Sequence, residues 1–282
     1  MNGIGSAALG IGGRGFSTVA GSIGRAGFDR PEARRRGMAG GSIPLSGLVM
    51  WCMGSSNGPG VQTTNGPRTR KVSVWRDFSG KQNHMKQATA AKQPTVNIAA
   101  QNGKDSITLG EAAFLVCSGS ESHVTDFGTG QFDIYMIFDY PAGAGVKAFF
   151  SNGAAFNQTS IQMFRLANET IKVRTYNGSA KTSAATADLS GKGYVFTRFH
   201  RASNDATSID YDTEDGTAAT KSVSGGSDQD VTGGAFAIGA LNNGSGGAGM
   251  HCAEILIYDR NLANVGSAKV KSYLSDKYGL GL

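Results

Sequence analysis

Long apolar runs are missing from this chain. None approaches the roughly 18 residues that a membrane-crossing helix needs, so no membrane partner is expected. Charged residues are sparse at 17% and prolines number only 6, which excludes a long acidic or basic disordered tail. The three cysteines, Cys52, Cys117 and Cys252, are odd in number, widely spaced and without a Cys-x-x-Cys pair. They read as buried, reduced thiols rather than a disulfide frame. His84, His123, His200 and His251 stand apart, with neither His-x-x-x-His nor His-Glu-x-x-His spacing, so no zinc site is written in the sequence. No Gly-x-Ser-x-Gly elbow occurs, and only two tryptophans, Trp51 and Trp75, are present.

What is abundant is glycine, 42 residues, beside a hydrophobic fraction of 39% that suffices for one sizeable core. This is the composition of a turn-rich β protein. Short runs of strand-forming residues, broken by turns, follow one another at 105–109, 112–117, 132–140, 146–151, 160–166, 170–176, 194–201, 207–212, 219–223, 234–240 and 252–258. Leu48 to Trp51 is wholly apolar, as in a strand buried on both faces, and Ile134 to Phe138 has the same character and belongs in mid-sheet. Near the C-terminus Val270, Tyr273, Leu274 and Tyr278 recur at three- and four-residue steps, predicting one amphipathic helix with Gly279 as its left-handed terminator and Asn264 as its cap.

Charge is uneven. Arg14, Arg25, Arg30, Arg34, Arg35 and Arg36 stand against Asp29 and Glu32, so +4 of the formal net charge of +6 lies in the first 40 residues. Residues 1–43, rich in Gly, Ala, Ser and Arg and without helix or strand period, read as an extended arm that orders only against a partner. Residues 44–282 read as one globular domain. Gly10 to Gly15 fits a G-x-G-x-x-G pattern, but no βαβ unit surrounds it, so a dinucleotide site is excluded. The first residues lack a basic stretch before an apolar core and do not read as a secretory signal.

Two stretches carry a resemblance. Glu254-Ile-Leu-Ile-Tyr258, followed by Asp259-Arg260-Asn261-Leu262 and the Tyr273–Gly279 segment, resembles the C-terminus of concanavalin A-like, laminin-G-like jelly-roll domains. Trp75, Asp77, Ser79 and Gly80 resemble the tight turn of the same family, with Gln93-Pro94 after it. The resemblance implies an all-β jelly-roll sandwich of two antiparallel sheets over residues 44–280, with a short C-terminal helix. In the turn, the Asp77 carboxylate is expected to bind backbone N–H groups, with a calcium ligand as the lesser reading.

For function the expectation is a bacteriophage virion structural protein, most of all a capsid decoration protein. Its arm would anchor it to other virion proteins through the six arginines, as a homo-oligomer made in the host cytoplasm. The alternative is a carbohydrate-binding adhesin, on a tail fibre or tail tip, meeting a host-surface glycan through Tyr140, Tyr176 or Tyr211. A glycoside hydrolase is the third reading. Asp210, Asp212 and Glu214 would share one face of a strand, similar to the Glu-x-Asp-x-Glu row of laminarinase-type glucanases. The short Asp at the first position, the scarcity of tryptophan and the turn at Glu214-Asp-Gly216 weigh against it, so no catalytic residue and no enzyme activity are expected. No cofactor is expected either, save that Asp210, Asp212 and Asp215 could hold calcium.

Overall fold

The structure, a computed structural model, describes residues 42–54, 61–63, 70–117, 124–143, 145–153, 160–177, 179–203, 207–223 and 234–282. The expected anchor arginines, Arg14 to Arg36, lie outside the described residues, as does nearly all of the 1–43 arm. The chain forms strands β1 (Leu48–Met53), β2 (Val61–Thr63), β3 (Val72–Trp75), β4 (Met85–Lys86), β5 (Thr95–Gln101), β6 (Lys104–Leu109), β7 (Leu115–Cys117), β8 (Phe132–Asp139) and β9 (Lys147–Ser151). There follow β10 (Ser160–Arg165), β11 (Ile171–Asn177), β12 (Ser179–Thr182), β13 (Val195–Arg201), β14 (Thr207–Thr213), β15 (Ala219–Ser222), β16 (Phe236–Ile238) and β17 (Met250–Tyr258). One α-helix, α1 (Ala263–Tyr278), closes the chain.

The strands pair antiparallel into two sheets. One runs β15-β14-β13-β8-β17-β6-β5, with β1 also on β17; the other runs β12-β11-β10-β9-β16-β7-β4-β3-β2. The protein is an all-β sandwich, and the arrangement fits a jelly roll. Period-two alternation decides what each face does. From β8, Phe132, Ile134, Met136 and Phe138 point between the sheets, where they meet Phe149, Phe150, Phe199 and Ile255. Tyr135 and Ile137, one step out of phase, point outward into a second apolar cluster with Trp51, Phe196, Leu256 and Tyr258.

The helix covers that second cluster. Its stripe of Val270, Tyr273, Leu274 and Tyr278 is buried, as the spacing predicts; each such side chain contributes about 1.5–3 kcal/mol by leaving water. Gly279 ends the helix at φ 67°, a conformation glycine adopts without Cβ strain. The helix start differs from the expectation. Asn264 lies inside the first turn; Asn261 Oδ1 accepts the Ala263 N–H at 3.0 Å, and the Leu262 N–H donates to buried Asp133 at 2.7 Å.

A buried carboxylate fixes the helix to the sheet. Glu254, on β17 and wholly shielded from solvent, accepts from Trp51 Nε1 at 2.6 Å, Tyr273 Oη at 3.1 Å, Lys277 Nζ at 2.6 Å and Tyr278 Oη at 2.8 Å. Asp77 does comparable work beside β1, at the backbone of the same Trp51. Its Oδ1 accepts the N–H groups of Trp51 and Ser79, and its Oδ2 accepts Ser79 Oγ and Asn83 N–H, at 2.7–3.0 Å. Both oxygens are spent on the turn, the structural role expected for it. Asp77→Ala strands these donors and is expected to cost about 3 kcal/mol in urea unfolding. Added calcium should leave the wild-type midpoint unchanged; a calcium-dependent rise would make Asp77 a ligand instead.

Strands β2, β4, β5 and β12 have no counterpart among the sequence expectations. β5 is an edge strand with no buried residue, so no apolar alternation marks it.

Candidate functional site

β13 and β14 pair in register, with Phe196 opposite Asp212, Arg198 opposite Asp210 and His200 opposite Ser208. All six point to the outer, helix-bearing face. β15 adds Thr220, directly opposite Asp210. Helix α1 crosses beside them, and between helix and strands lies a cleft of about 420 Å3. Phe196, Arg198, Asp210, Asp212 and Thr220 line its strand wall; Asn264, Ser267, Ala268 and Lys271 line its helix wall.

The cleft's charges form two linked sets. Arg198 Nε lies 3.1 Å and Nη2 3.3 Å from the carboxylate oxygens of Asp133 beneath it, while Nη1 lies 3.4 Å from Asp210 Oδ2. Asp210 also accepts from Thr220 Oγ1 at 2.7 Å and has His200 Nε2 3.3 Å away. Lys271 Nζ reaches across from the helix to Asp212 Oδ2 at 2.6 Å and sits 5.9 Å over the Phe196 ring. Asp210 and Asp212 keep 29% and 13% of their side-chain surface exposed, so both carboxylates are open to the cleft.

Environment pushes the two aspartates beside Arg198 in opposite directions. Burial dominates at Asp133 and raises its carboxyl above the usual range, more than Arg198 and the Leu262 N–H can offset. Burial also acts to raise Asp210. There it is outweighed by the hydrogen bonds and charge of its partners, His200 first and then Thr220 and Arg198, so Asp210 lies below the usual range.

Of the residues singled out from sequence, Asp210 and Asp212 come together here. Glu214 does not: β14 ends at Thr213, and the Glu214 carboxylate turns away to accept from Gln101 Nε2 at 2.6 Å. Asp215 is held in the turn by Lys192, Thr213 and Thr217. The expected calcium trio is therefore dispersed, each carboxylate on its own cation, and among the described residues no group of three acidic, His or Cys side chains is placed to hold a metal. The three tyrosines are not gathered either. Tyr140 is buried with its hydroxyl on Glu169 O at 2.6 Å, Tyr211 has its ring in the inter-sheet core, and Tyr176 is on the other sheet. Arg198, Lys271 and the helix wall escaped the sequence reading. The alternation of β13 gave Arg198 an outward direction, but nothing local says that a helix 70 residues later will face it.

No protein-family model matches the sequence, and no curated protein matches it. Solved structures do match by fold. A GH54 α-L-arabinofuranosidase soaked with a cyclic sulfate inhibitor superposes with a TM-score of 0.58 at 14% identity, over 84% of this chain and 60% of that one. Trypanosoma rangeli sialidase in complex with sialic acid gives 0.51 at 14% identity, over 84% of this chain and 34% of that one. In complex with 2,3-difluoro-KDN it gives 0.54 at 12% identity, over 88% and 38%. The chain thus spans about three-fifths of the arabinofuranosidase and little more than a third of the sialidase. These matches overturn the expectation of a virion structural protein without enzymatic activity, since the similar folds belong to glycosidases. At this identity the likeness is one of fold: a β-sandwich of the kind that glycosidases contain.

Proposed function

We propose that this protein is carbohydrate-active, taking a saccharide in the cleft between β14 and α1 and cleaving it as a glycoside hydrolase. One observation carries the reading: two carboxylates, Asp210 and Asp212, stand on the same face of one rigid strand and open into a cleft of small-molecule size. Phe196 gives that cleft an apolar floor, while Asn264, Ser267 and Thr220 supply groups that match sugar hydroxyls.

The chemistry follows from spacing. Same-face neighbours on a strand have their backbones about 6.7 Å apart, and the two side chains lean to different partners, Asp210 to Arg198 and His200, Asp212 to Lys271, which holds their carboxyls apart. Such a separation suits inversion, which needs about 6.5–9.5 Å to seat a water, better than retention at about 5–5.5 Å. Asp210, held ionised by its partners, is the base that draws a proton from water. Asp212, the second carboxylate, takes up a proton from solvent and passes it to the departing oxygen, while the proton that Asp210 draws from water returns to solvent.

Ala268 tests the cleft without touching the charges. Ala268→Trp fills the space from the helix wall, and its circular dichroism and unfolding midpoint should match wild type. Calorimetric titration with oligosaccharides, and release of nitrophenol from a panel of aryl glycosides, should give signals in wild type that fall at least tenfold in the variant. Signals of equal size in both proteins would place the activity elsewhere on the sandwich.

A further inference from the structure

We infer that the saccharide this cleft accepts is uncharged, so that sialylated, uronic and sulfated glycans are excluded; the inference rests on the reading just given. An acidic sugar is recognised through a cation that has no counter-charge already fixed beside it, most often an arginine fork. Two cations line the cleft, and both are already paired with carboxylates. All three guanidinium nitrogens of Arg198 face carboxylates: Nε and Nη2 are on Asp133, Nη1 on Asp210. The Lys271 ammonium is 2.6 Å from Asp212. Three carboxylates, Asp133, Asp210 and Asp212, thus stand against one guanidinium and one ammonium, Arg198 and Lys271.

An anionic ligand would therefore enter against exposed Asp210 and Asp212 oxygens with no cation uncommitted to receive it. Once bound, it would compete with carboxylates already fixed at hydrogen-bond distance on strands. A neutral sugar faces no such contest. Its hydroxyls can donate to the Asp210 and Asp212 oxygens and accept from the Asn264 amide, and its apolar face can lie toward Phe196.

The test compares neutral and acidic ligands of one size on the full chain. Calorimetry would use cellotriose and an arabinoxylan trisaccharide beside 3′-sialyllactose and trigalacturonate, each with wild type, Ala268→Trp and Asp212→Asn. A neutral trisaccharide should bind at least tenfold more tightly than either acidic one, and Ala268→Trp should abolish that binding. Asp212→Asn releases the Lys271 ammonium, so the acidic ligands should gain at least fivefold. Should an acidic trisaccharide bind wild type more tightly, with Ala268→Trp abolishing it, the neutral-sugar inference is overturned while the cleft remains the site. Binding that survives Ala268→Trp, or no binding by any ligand, overturns both.

Discussion

Glu254→Gln is expected to lower the free energy of unfolding by about 3–5 kcal/mol, the scale for breaking a buried ion pair. The substitution changes almost no volume, so the loss is electrostatic. Glu254 is fully buried, and its two oxygens take two donors each: Trp51 Nε1 and Tyr273 Oη on one, Lys277 Nζ and Tyr278 Oη on the other. A glutamine has one acceptor oxygen and turns an NH2 toward two of those donors. Lys277, only 13% exposed, then loses its counter-charge. Unfolding in urea, followed by tryptophan fluorescence because Trp51 reports on this contact, measures the loss directly. A Glu254→Gln/Lys277→Met double variant removes the stranded charge and should recover at least half of it. A single-variant cost below about 1 kcal/mol would mean that apolar packing alone seats the helix. Because α1 is one wall of the cleft, the variant should also weaken ligand binding before the sandwich itself melts.

Glu254 also marks where the sequence stops being readable. The strand around it is unmistakable, because Ile255 and Ile257 alternate with Leu256 and Tyr258 on two apolar faces. The helix is readable for the same reason: its buried stripe is a matter of period. The meaning of one acid among such residues is not local. Its partners come from β1, 203 residues away, and from a helix about 20 residues on, and only the completed fold brings them together. The same holds for the cleft. Alternation puts Asp210 and Asp212 on one face, and the turn after Thr213 accounts for the loss of Glu214 from the row. Whether that face is solvent or cleft depends on where α1 lies, and the helix is placed by Glu254, by Asp133 holding the Leu262 N–H and by a shared apolar surface. Tyr140 misled for the opposite reason. Tyrosine alone does not say whether its ring stacks on a ligand or fills a core, and here its neighbours are Phe138 and Phe149.

Asp210→Asn should reduce turnover of a neutral aryl glycoside about a thousandfold, the middle of the range for a lost general base, with little change in KM. The amide can still accept from Thr220 and fill the same space, so the cleft keeps its shape while the base is gone. The pH dependence separates this from a structural effect. Burial tends to raise the Asp210 carboxyl, but His200, Thr220 and Arg198 together hold it below its ordinary 3.8. In wild type the base stays ionised to below that value, and the acid limb of kcat/KM should lie there. Stability shifts in the same window. A depressed carboxyl contributes stability that is full above pH 3.8 and is lost as pH falls through the folded value, so Asp210→Asn should flatten the unfolding curve below pH 3.8. Asp133 acts in the reverse sense. Its carboxyl is raised above 3.8, so its share of stability declines as pH climbs through the window just above that value, in wild type and variant alike. A variant that keeps more than a tenth of wild-type kcat/KM, with its acid limb unmoved, would remove Asp210 from the chemistry and leave it the lesser task of orienting Arg198.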